Sequence, residues 1–156
     1  MASFRGSFRH NLDVKGRLAL SKAFRQVTGV KTETEKPYLV LTKGLNECVW
    51  GFTADEWPIY EQQLREKQFQ GQEARDFVLE MMLHVEDVPV DGAGRILVPP
   101  AHLALAGLEK GKEVLVLGMI DHVELWNPET YESHVKKSRA ASSYEEKAKE
   151  LFSRRG

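Results

Sequence analysis

The chain has 156 residues and a formal net charge of −1, with 42% hydrophobic and 29% charged residues, which is ordinary for a soluble globular protein of one domain or two small fused units. No apolar run approaches the roughly 20 residues that span a bilayer, and residues 1–6 lack the apolar stretch of a signal peptide, so we expect a cytoplasmic protein with no membrane partner. The single cysteine, Cys48, excludes an intramolecular disulfide framework and a multi-cysteine zinc site, and we expect it to be buried.

A first β-rich unit is predicted over residues 7–54. Its opening strand leads to a tight turn in which Asp13 and Gly16 are typical of a type I turn followed by a residue with positive φ. Leu18 then begins an alternating strand, and Ser21 is placed to cap a short helix. Two further strands are predicted near 38–43 and 47–52, separated by a turn at Gly44.

A helical insert is predicted over residues 55–83, beginning with a capping box formed by Thr53 and Glu56. Apolar residues spaced three and four apart predict a buried face on each of two helices, which Gly71 separates. These faces consist of Trp57, Tyr60 and Leu64 on the first helix and of Ala74, Phe77, Val78 and Met81 on the second. We expect both sets to pack in the core rather than around a cofactor.

The second β-rich unit is predicted over residues 84–128, with a short helix that begins at Pro99–Pro100 and ends at Gly107. Strands follow near 113–118 and 122–126. The C-terminal segment, residues 129–156, begins after the start signal Asn127, and Ser143 with Glu146 predicts the capping box of a short amphipathic helix.

The two units are copies of one pattern. Residues 13–24 align with residues 91–102, with Asp, Gly and Arg at matching positions. Leu39–Leu41 then aligns with Leu115–Leu117, and Val49–Trp50 aligns with Leu125–Trp126. The chain is therefore predicted to be an α+β protein with two pseudo-symmetric hairpin units and with helices between and after them.

Turn geometry explains the aspartates and glycines of the repeated motif but leaves two interpretations of Arg17 and Arg95. Each arginine either only pairs with the aspartate of its own turn, or points its guanidinium toward a phosphate or a guanine. The charge distribution favours the second interpretation, because residues 5–25 contain six basic residues against one acid. We expect Lys15 in the first turn and Arg5, Arg9 and His10 on the preceding strand to contribute to the same anion site.

The second turn lacks a lysine, so the two halves are expected to contribute unequally to the anion site.

Enzymatic interpretations of the sequence are weaker than the DNA-binding interpretation. Asp13 and Asp91 could form a symmetric carboxylate dyad, but aspartate is common at the start of turns. The five histidines have no paired metal-ligand spacing, and no nucleophile elbow or phosphate-binding glycine loop is present. We therefore expect no catalytic residue, metal or cofactor.

The sequence resembles the MraZ family of bacterial transcriptional regulators, which have a duplicated AbrB-like, swapped-hairpin fold. The resemblance rests on residues 4–6, 11–18 and 91–100 and on the segments Leu45–Trp50 and Leu125–Trp126, and it covers the chain from about residue 4 to residue 135. It implies that the arginines of the two motifs, Arg17 and Arg95, contact DNA. The sequence departs from the family at Gly92–Ala93, where many members have a polar or charged residue. A phosphate contact beside Arg95 is therefore not carried over from the family.

The resemblance also implies a ring-shaped homo-oligomer, associated with the nucleoid, that binds direct repeats in double-stranded DNA upstream of the division and cell-wall gene cluster and represses it. A rival from another class is an oligomeric scaffold or antitoxin-like module that binds protein. An exposed apolar groove beside the hairpins would favour the rival, and a continuous basic face with both arginine turns would favour DNA.

Overall fold

The computed structural model describes residues 3–28 and 36–153, so residues 29–35 of the first predicted unit and residues 154–156 of the C-terminal segment lie outside it. The described ranges contain eight strands and six helices. In chain order these are β1 Ser7–Asn11, β2 Arg17–Ala19, α1 Lys22–Thr28, β3 Tyr38–Lys43, β4 Val49–Thr53, α2 Trp57–Lys67, α3 Gln72–Leu83, β5 Glu86–Pro89, β6 Arg95–Leu97, α4 Pro100–Ala106, β7 Glu113–Gly118, β8 His122–Trp126, α5 Pro128–Ala141 and α6 Tyr144–Phe152.

The strands form two antiparallel sheets by exchange between the two repeats. A six-stranded sheet has the order β1-β7-β8-β4-β3-β5, and β2 pairs with β6 in a separate ribbon. Within the first hairpin, Asp13 donates its backbone N–H to the Arg17 carbonyl at 3.0 Å, after which β1 and β2 diverge to strands of the other repeat. The predicted α+β class with two pseudo-symmetric swapped-hairpin units is confirmed.

Strand register places equivalent residues of the two repeats directly opposite each other. Leu18 pairs with Ile96 in the ribbon, and Val49 pairs with Leu125 in the large sheet. All four side chains are fully buried in the largest apolar cluster. A pseudo-two-fold axis therefore passes through the ribbon, the core and the centre of the large sheet.

Two smaller apolar clusters fix the helices on the sheet. One joins Phe52 of β4 to Trp57 and Leu64 of α2 and to Met81 of α3. The other contains Cys48, which is 1% exposed as predicted, and burial raises the pKa of its thiol. No helix among the described residues is long and apolar enough to cross a membrane.

Local signals predicted most helix boundaries. Asn127 accepts hydrogen bonds from the backbone of Glu129 and Thr130, and Ser143 with Glu146 forms the predicted capping box. The predicted capping box at Thr53 is wrong. The Thr53 hydroxyl accepts from the Glu56 N–H, but a turn intervenes and α2 begins at Trp57, where Pro58 suits the first helical turn.

One buried helical face was also predicted too broadly. Met81 is buried and Val78 is partly buried, as the spacing indicated, but Phe77 is 43% exposed. It lines an open groove instead of entering the core.

Candidate nucleic-acid interface

The repeated motif folds into two matching turns, residues 13–17 and 91–95. In each turn the glycine N–H donates to the aspartate carbonyl, at 3.0 Å for Gly16 and 2.9 Å for Gly94. These glycines have φ angles of +86° and +77°, which residues with a side chain rarely adopt. The predicted reason for a glycine at this position is confirmed in both repeats.

Each turn aspartate organises its own turn. Asp13 accepts hydrogen bonds from the backbone N–H groups of Arg17 at 2.8 Å and Lys15 at 2.9 Å, and it also accepts from Arg17 Nε. The backbone N–H of Arg17 is the largest influence and, with the guanidinium, lowers the pKa of Asp13 from 3.8 to about 2 against a smaller opposing effect of burial. Asp91 makes the equivalent bonds to Arg95 and Ala93, and its pKa is lowered for the same reasons.

The turn ion pair uses only part of each guanidinium. Arg17 and Arg95 both pair through Nε, and their side chains are 31% and 35% exposed. Among the described residues no further acceptor binds either guanidinium. The aspartate therefore fixes the direction of each arginine while the two terminal nitrogens stay available to a ligand.

The ribbon brings the two arginines onto one surface. Arg17 lies opposite Leu97 and Arg95 lies opposite Ala19, so the arginines are diagonal neighbours on the same face. In an antiparallel pair such neighbours are about 7–8 Å apart at their Cα atoms. The other face of the ribbon carries Leu18 and Ile96, which are buried in the core. We call the outer surface, with Arg17, Ala19, Arg95 and Leu97, the arginine face.

The other residues predicted for the site are not all close to this face. Lys15 is exposed in the first turn. His10, near the end of β1, is exposed, with its ring contacting the Asn11 carbonyl at 3.0 Å. Arg9 forms an ion pair with Glu113 at 2.9 Å, which offsets its charge. Arg5 lies beyond the far end of β1, which alone spans about 13 Å at about 3.3 Å per residue, so the structure separates Arg5 from the turn.

Two cations beside the turns were not assigned to the site from the sequence. The guanidinium of Arg25, on α1, lies against Gly94 of the second turn, because a Cβ atom there would be 2.8 Å from Arg25 Nε. Lys110 lies beside the first turn, with Cε 3.5 Å from the corresponding Cβ position of Gly16. Each cation comes from the repeat opposite to its turn, so only knowledge of the strand exchange could have revealed it.

A family model described as "MraZ protein, putative antitoxin-like" matches residues 3–79 and 81–155, one match for each half of the chain. The chain belongs to the MraZ family.

Curated relatives from this family match nearly the whole chain. A protein of Pelotomaculum thermopropionicum is 36% identical over 148 residues, which cover 95% of this chain and 94% of the relative. One from Acetivibrio thermocellus is 35% identical over 131 residues, covering 84% and 85%, and one from Limosilactobacillus reuteri is 31% identical over 146 residues, covering 94% and 95%. All three are named transcriptional regulator MraZ. The predicted family is confirmed, and this MraZ chain is a transcriptional regulator rather than an enzyme.

Two aspartates and two histidines that could serve catalysis have structural partners in this MraZ protein. The carboxylates of Asp13 and Asp91 are each occupied by their own turn, so they do not form the dyad considered above. Buried His102 binds the His84 carbonyl at 2.7 Å, and His122 lies between the carboxylates of Asp121 and Glu124. Within residues 3–28 and 36–153, no group of three or more metal-ligating side chains was found.

Proposed function

We propose that this MraZ chain binds specific duplex DNA by inserting the β2–β6 ribbon into the major groove, with Arg17 and Arg95 as the reading residues. The observation that supports this most is their common position on the arginine face. The major groove, about 12 Å wide, admits a two-stranded β-ribbon. A guanidinium with free terminal nitrogens fits the O6 and N7 acceptors of guanine or the oxygens of a phosphate.

Local charge supports DNA binding even though the whole chain has a net charge of −1. Both arginines share the arginine face and Lys15 is exposed in the adjoining first turn, and binding strength depends on the phosphates neutralised there rather than on net charge. The dependence of log affinity on log salt concentration is expected to have a slope of roughly −0.9 for each phosphate contact. A flat response between low and moderate salt would contradict the proposed interface.

The target and the assembly are part of the same proposal. The chain acts in the cytoplasm, at the nucleoid, on direct repeats upstream of the division and cell-wall gene cluster, and it represses that cluster. It forms a ring-shaped homo-oligomer, in which linked protomers bind neighbouring repeats at high effective concentration. Exposed apolar residues on and between the helices, including Phe69 at 83% in the turn between α2 and α3 and Leu83 at 78% at the end of α3, support such contacts between copies.

The test compares Arg17→Ala and Arg95→Ala with Arg75→Ala, an exposed arginine on α3 away from the ribbon. Melting temperature and affinity for the duplex upstream of the chain's own gene are measured on the same samples. Each turn ion pair is open to solvent, which weakens its contribution to stability, so both turn variants should stay folded. Their specific affinity should fall by about 1–3 kcal/mol per lost contact, and the Arg75 variant should bind normally.

Arg17→Ala is expected to lower affinity more than Arg95→Ala, because Lys15 adds charge to the first turn. Turn variants that melt normally and bind the duplex like the unaltered protein would show that the arginines only close their turns. The proposed function would then be wrong.

A second candidate function, protein binding by an antitoxin-like module, is favoured by one apolar groove. It has a volume of about 500 Å³ and lies between the β3–β4 turn and helices α3 and α4, with Leu45, Phe77, Met81 and Leu105 among its lining residues. The family description also includes the words antitoxin-like. Phe77→Glu should abolish a protein partnership while leaving DNA affinity intact, and loss of DNA affinity alone in the arginine variants would favour the first function.

A further inference from the structure

Arg25 is held against a turn that belongs to the other repeat. It lies in the last turn of α1, a short helix that begins just after β2, and Leu20 at that junction donates its N–H to the Gly94 carbonyl at 2.9 Å. This bond brings α1 beside the second turn. The guanidinium then covers the open side of Gly94, where a Cβ atom would be 2.8 Å from Nε and 2.9 Å from Nη1.

Lys110 has a corresponding position at the first turn. The loop after α4 is hydrogen-bonded on both sides of Leu12, whose N–H donates to Lys112 and whose carbonyl accepts from Gly111, each at 2.9 Å. Leu12 immediately precedes Asp13, so these bonds hold Lys110 beside the turn. Among the described residues, neither Lys110 nor Arg25 forms an ion pair.

The two positions are not related by the pseudo-two-fold axis. The repeat alignment matches Arg25 with Leu103, and Leu103 indeed lies near Gly16, 3.8 Å from its added Cβ. The second turn has Ala93 where the first has Lys15, and Arg25 supplies the cation that this turn lacks. Each turn therefore has a basic neighbour besides its own arginine.

We propose that Arg25 and Lys110 bind DNA phosphates on the two sides of the groove that the ribbon enters, each serving the turn of the opposite repeat. This inference rests on the proposed DNA-binding function. Both side chains are exposed, unpaired within the described residues and placed beside a turn rather than on the arginine face. That position suits the phosphate backbone, which determines affinity and orientation, whereas base edges determine specificity.

The main test replaces Arg25 with Gln, which keeps most of the packing stem but removes the charge, and with Lys, which restores the charge. Affinity is measured against salt for the upstream duplex and for a scrambled duplex of equal length. Arg25→Gln should weaken binding to both duplexes by the same factor and reduce the salt slope by about 0.9 per bound protomer. Arg25→Lys should restore the slope, and Lys110→Gln should behave like Arg25→Gln.

A matched glycine pair tests the contact with Gly94 independently. Gly94→Ala and Gly16→Ala both place a side chain at positive φ, so they should have similar strain. Only the methyl group at Gly94 overlaps a basic side chain, because the added Cβ at Gly16 has its nearest neighbour at 3.5 Å. Gly94→Ala should therefore lower DNA affinity more than Gly16→Ala. This difference should vanish when both are made in an Arg25→Ala protein, which removes both the charge and the Cδ atom that lies closest to the added methyl group.

Two results would overturn the inference while leaving the proposed function intact. One is an unchanged salt slope in Arg25→Gln and Lys110→Gln when Arg17→Ala still loses specific binding. The other is loss of affinity for the upstream duplex alone, since this would make Arg25 a base contact. Normal binding by both Arg17→Ala and Arg95→Ala would instead reject the proposed function itself.

Discussion

Asp13 and Asp91 each have two structural roles in their own five-residue turn. Each accepts backbone N–H groups that would otherwise lack a partner in the tight turn, and each holds the Nε of the arginine that ends it. The carboxylate charge supports both roles, because hydrogen bonds to a charged acceptor are stronger than those to a neutral one. The turn and the arginine direction therefore depend on a single ionised group.

Asp13→Asn should remove an acid-sensitive contribution to stability. The pKa of Asp13 is lowered in the folded protein, to about 2, so its stabilising contribution is present above pH 4 and is lost as the pH falls toward 2. The melting temperature of the unaltered protein should exceed that of Asp13→Asn at pH 5, and this gap should narrow steadily as the pH falls from 4 through 2. Circular dichroism melts in steps of half a pH unit measure it. Asp91→Asn should give the same sign, and a gap independent of pH would contradict the prediction.

The sequence predicted the residues whose roles are local. The aspartate, glycine and arginine of each turn occupy one short segment, and the glycine's positive φ and the aspartate's bonds follow from turn chemistry alone. Arg25 and Lys110 could not be assigned in this way. Their positions depend on which strand pairs with β2 and on the loop that binds Leu12, and both are contacts between distant parts of the chain.

The N-terminal strand is held on the large sheet by a close backbone approach at Gly118. Phe4 and Ile120 exchange backbone hydrogen bonds at 2.8 and 2.9 Å, and Gly118 donates to Gly6 at 2.7 Å. A Cβ atom on Gly118 would lie 2.6 Å from the Arg5 nitrogen and 2.7 Å from the Phe4 carbonyl carbon. These neighbours are main-chain atoms, so a side chain there would force the two segments apart.

Gly118→Ala should destabilise the protein by roughly 1–3 kcal/mol, the usual effect of overpacking. Gly92→Ala is the matched control, because it lies in a turn with no atom within 4 Å of the added Cβ and without a positive φ. Urea unfolding of both variants measures the difference. Equal midpoints would mean that the N-terminal segment moves away without cost.

Strand positions were predictable from alternation, but their partners were not. The predicted strands near 38–43, 113–118 and 122–126 match β3, β7 and β8. Nothing in the alternation of β1 indicates that it pairs with β7, because period-two burial specifies a face and not a neighbour. The exposure of Phe77 has a similar cause, since helical spacing identifies a stripe but not how much of it the sheet covers.

The strand exchange makes each half of the chain dependent on the other. Residues 1–83 contain the β3–β4 hairpin, but every other strand partner of β1, β2, β3 and β4 among the described residues, namely β7, β6, β5 and β8, lies after residue 83. As a monomer this half should be unfolded. It should fold only as a homodimer in which a second copy supplies the missing pairings along the pseudo-two-fold axis. Circular dichroism with sedimentation equilibrium measures both properties, and a folded monomer would contradict the prediction.

The full chain is predicted to assemble into a closed homo-oligomer larger than a dimer. The strand exchange is completed within one chain, so we do not expect unpaired hairpins to cause association between copies. We expect the helical residues that stay exposed to cause it. Tyr144, Leu151 and Phe152 on α6 are 65–80% exposed, in addition to the exposed residues around α3. Light scattering at micromolar concentration tests this, and a monomer would contradict it.

Direct opposition of Leu18 with Ile96 and of Val49 with Leu125 is the geometry of a two-fold dimer, here made within one polypeptide. A truly symmetric dimer presents the same surface after a half-turn, so it cannot distinguish one direction along a duplex from the other. Fusion allows Lys15 to differ from Ala93, and Arg25 to differ from Leu103. Under the proposed function, a protomer with unequal ends binds a duplex in one direction only, and successive protomers that bind in the same direction match sites arranged head to tail rather than as palindromes.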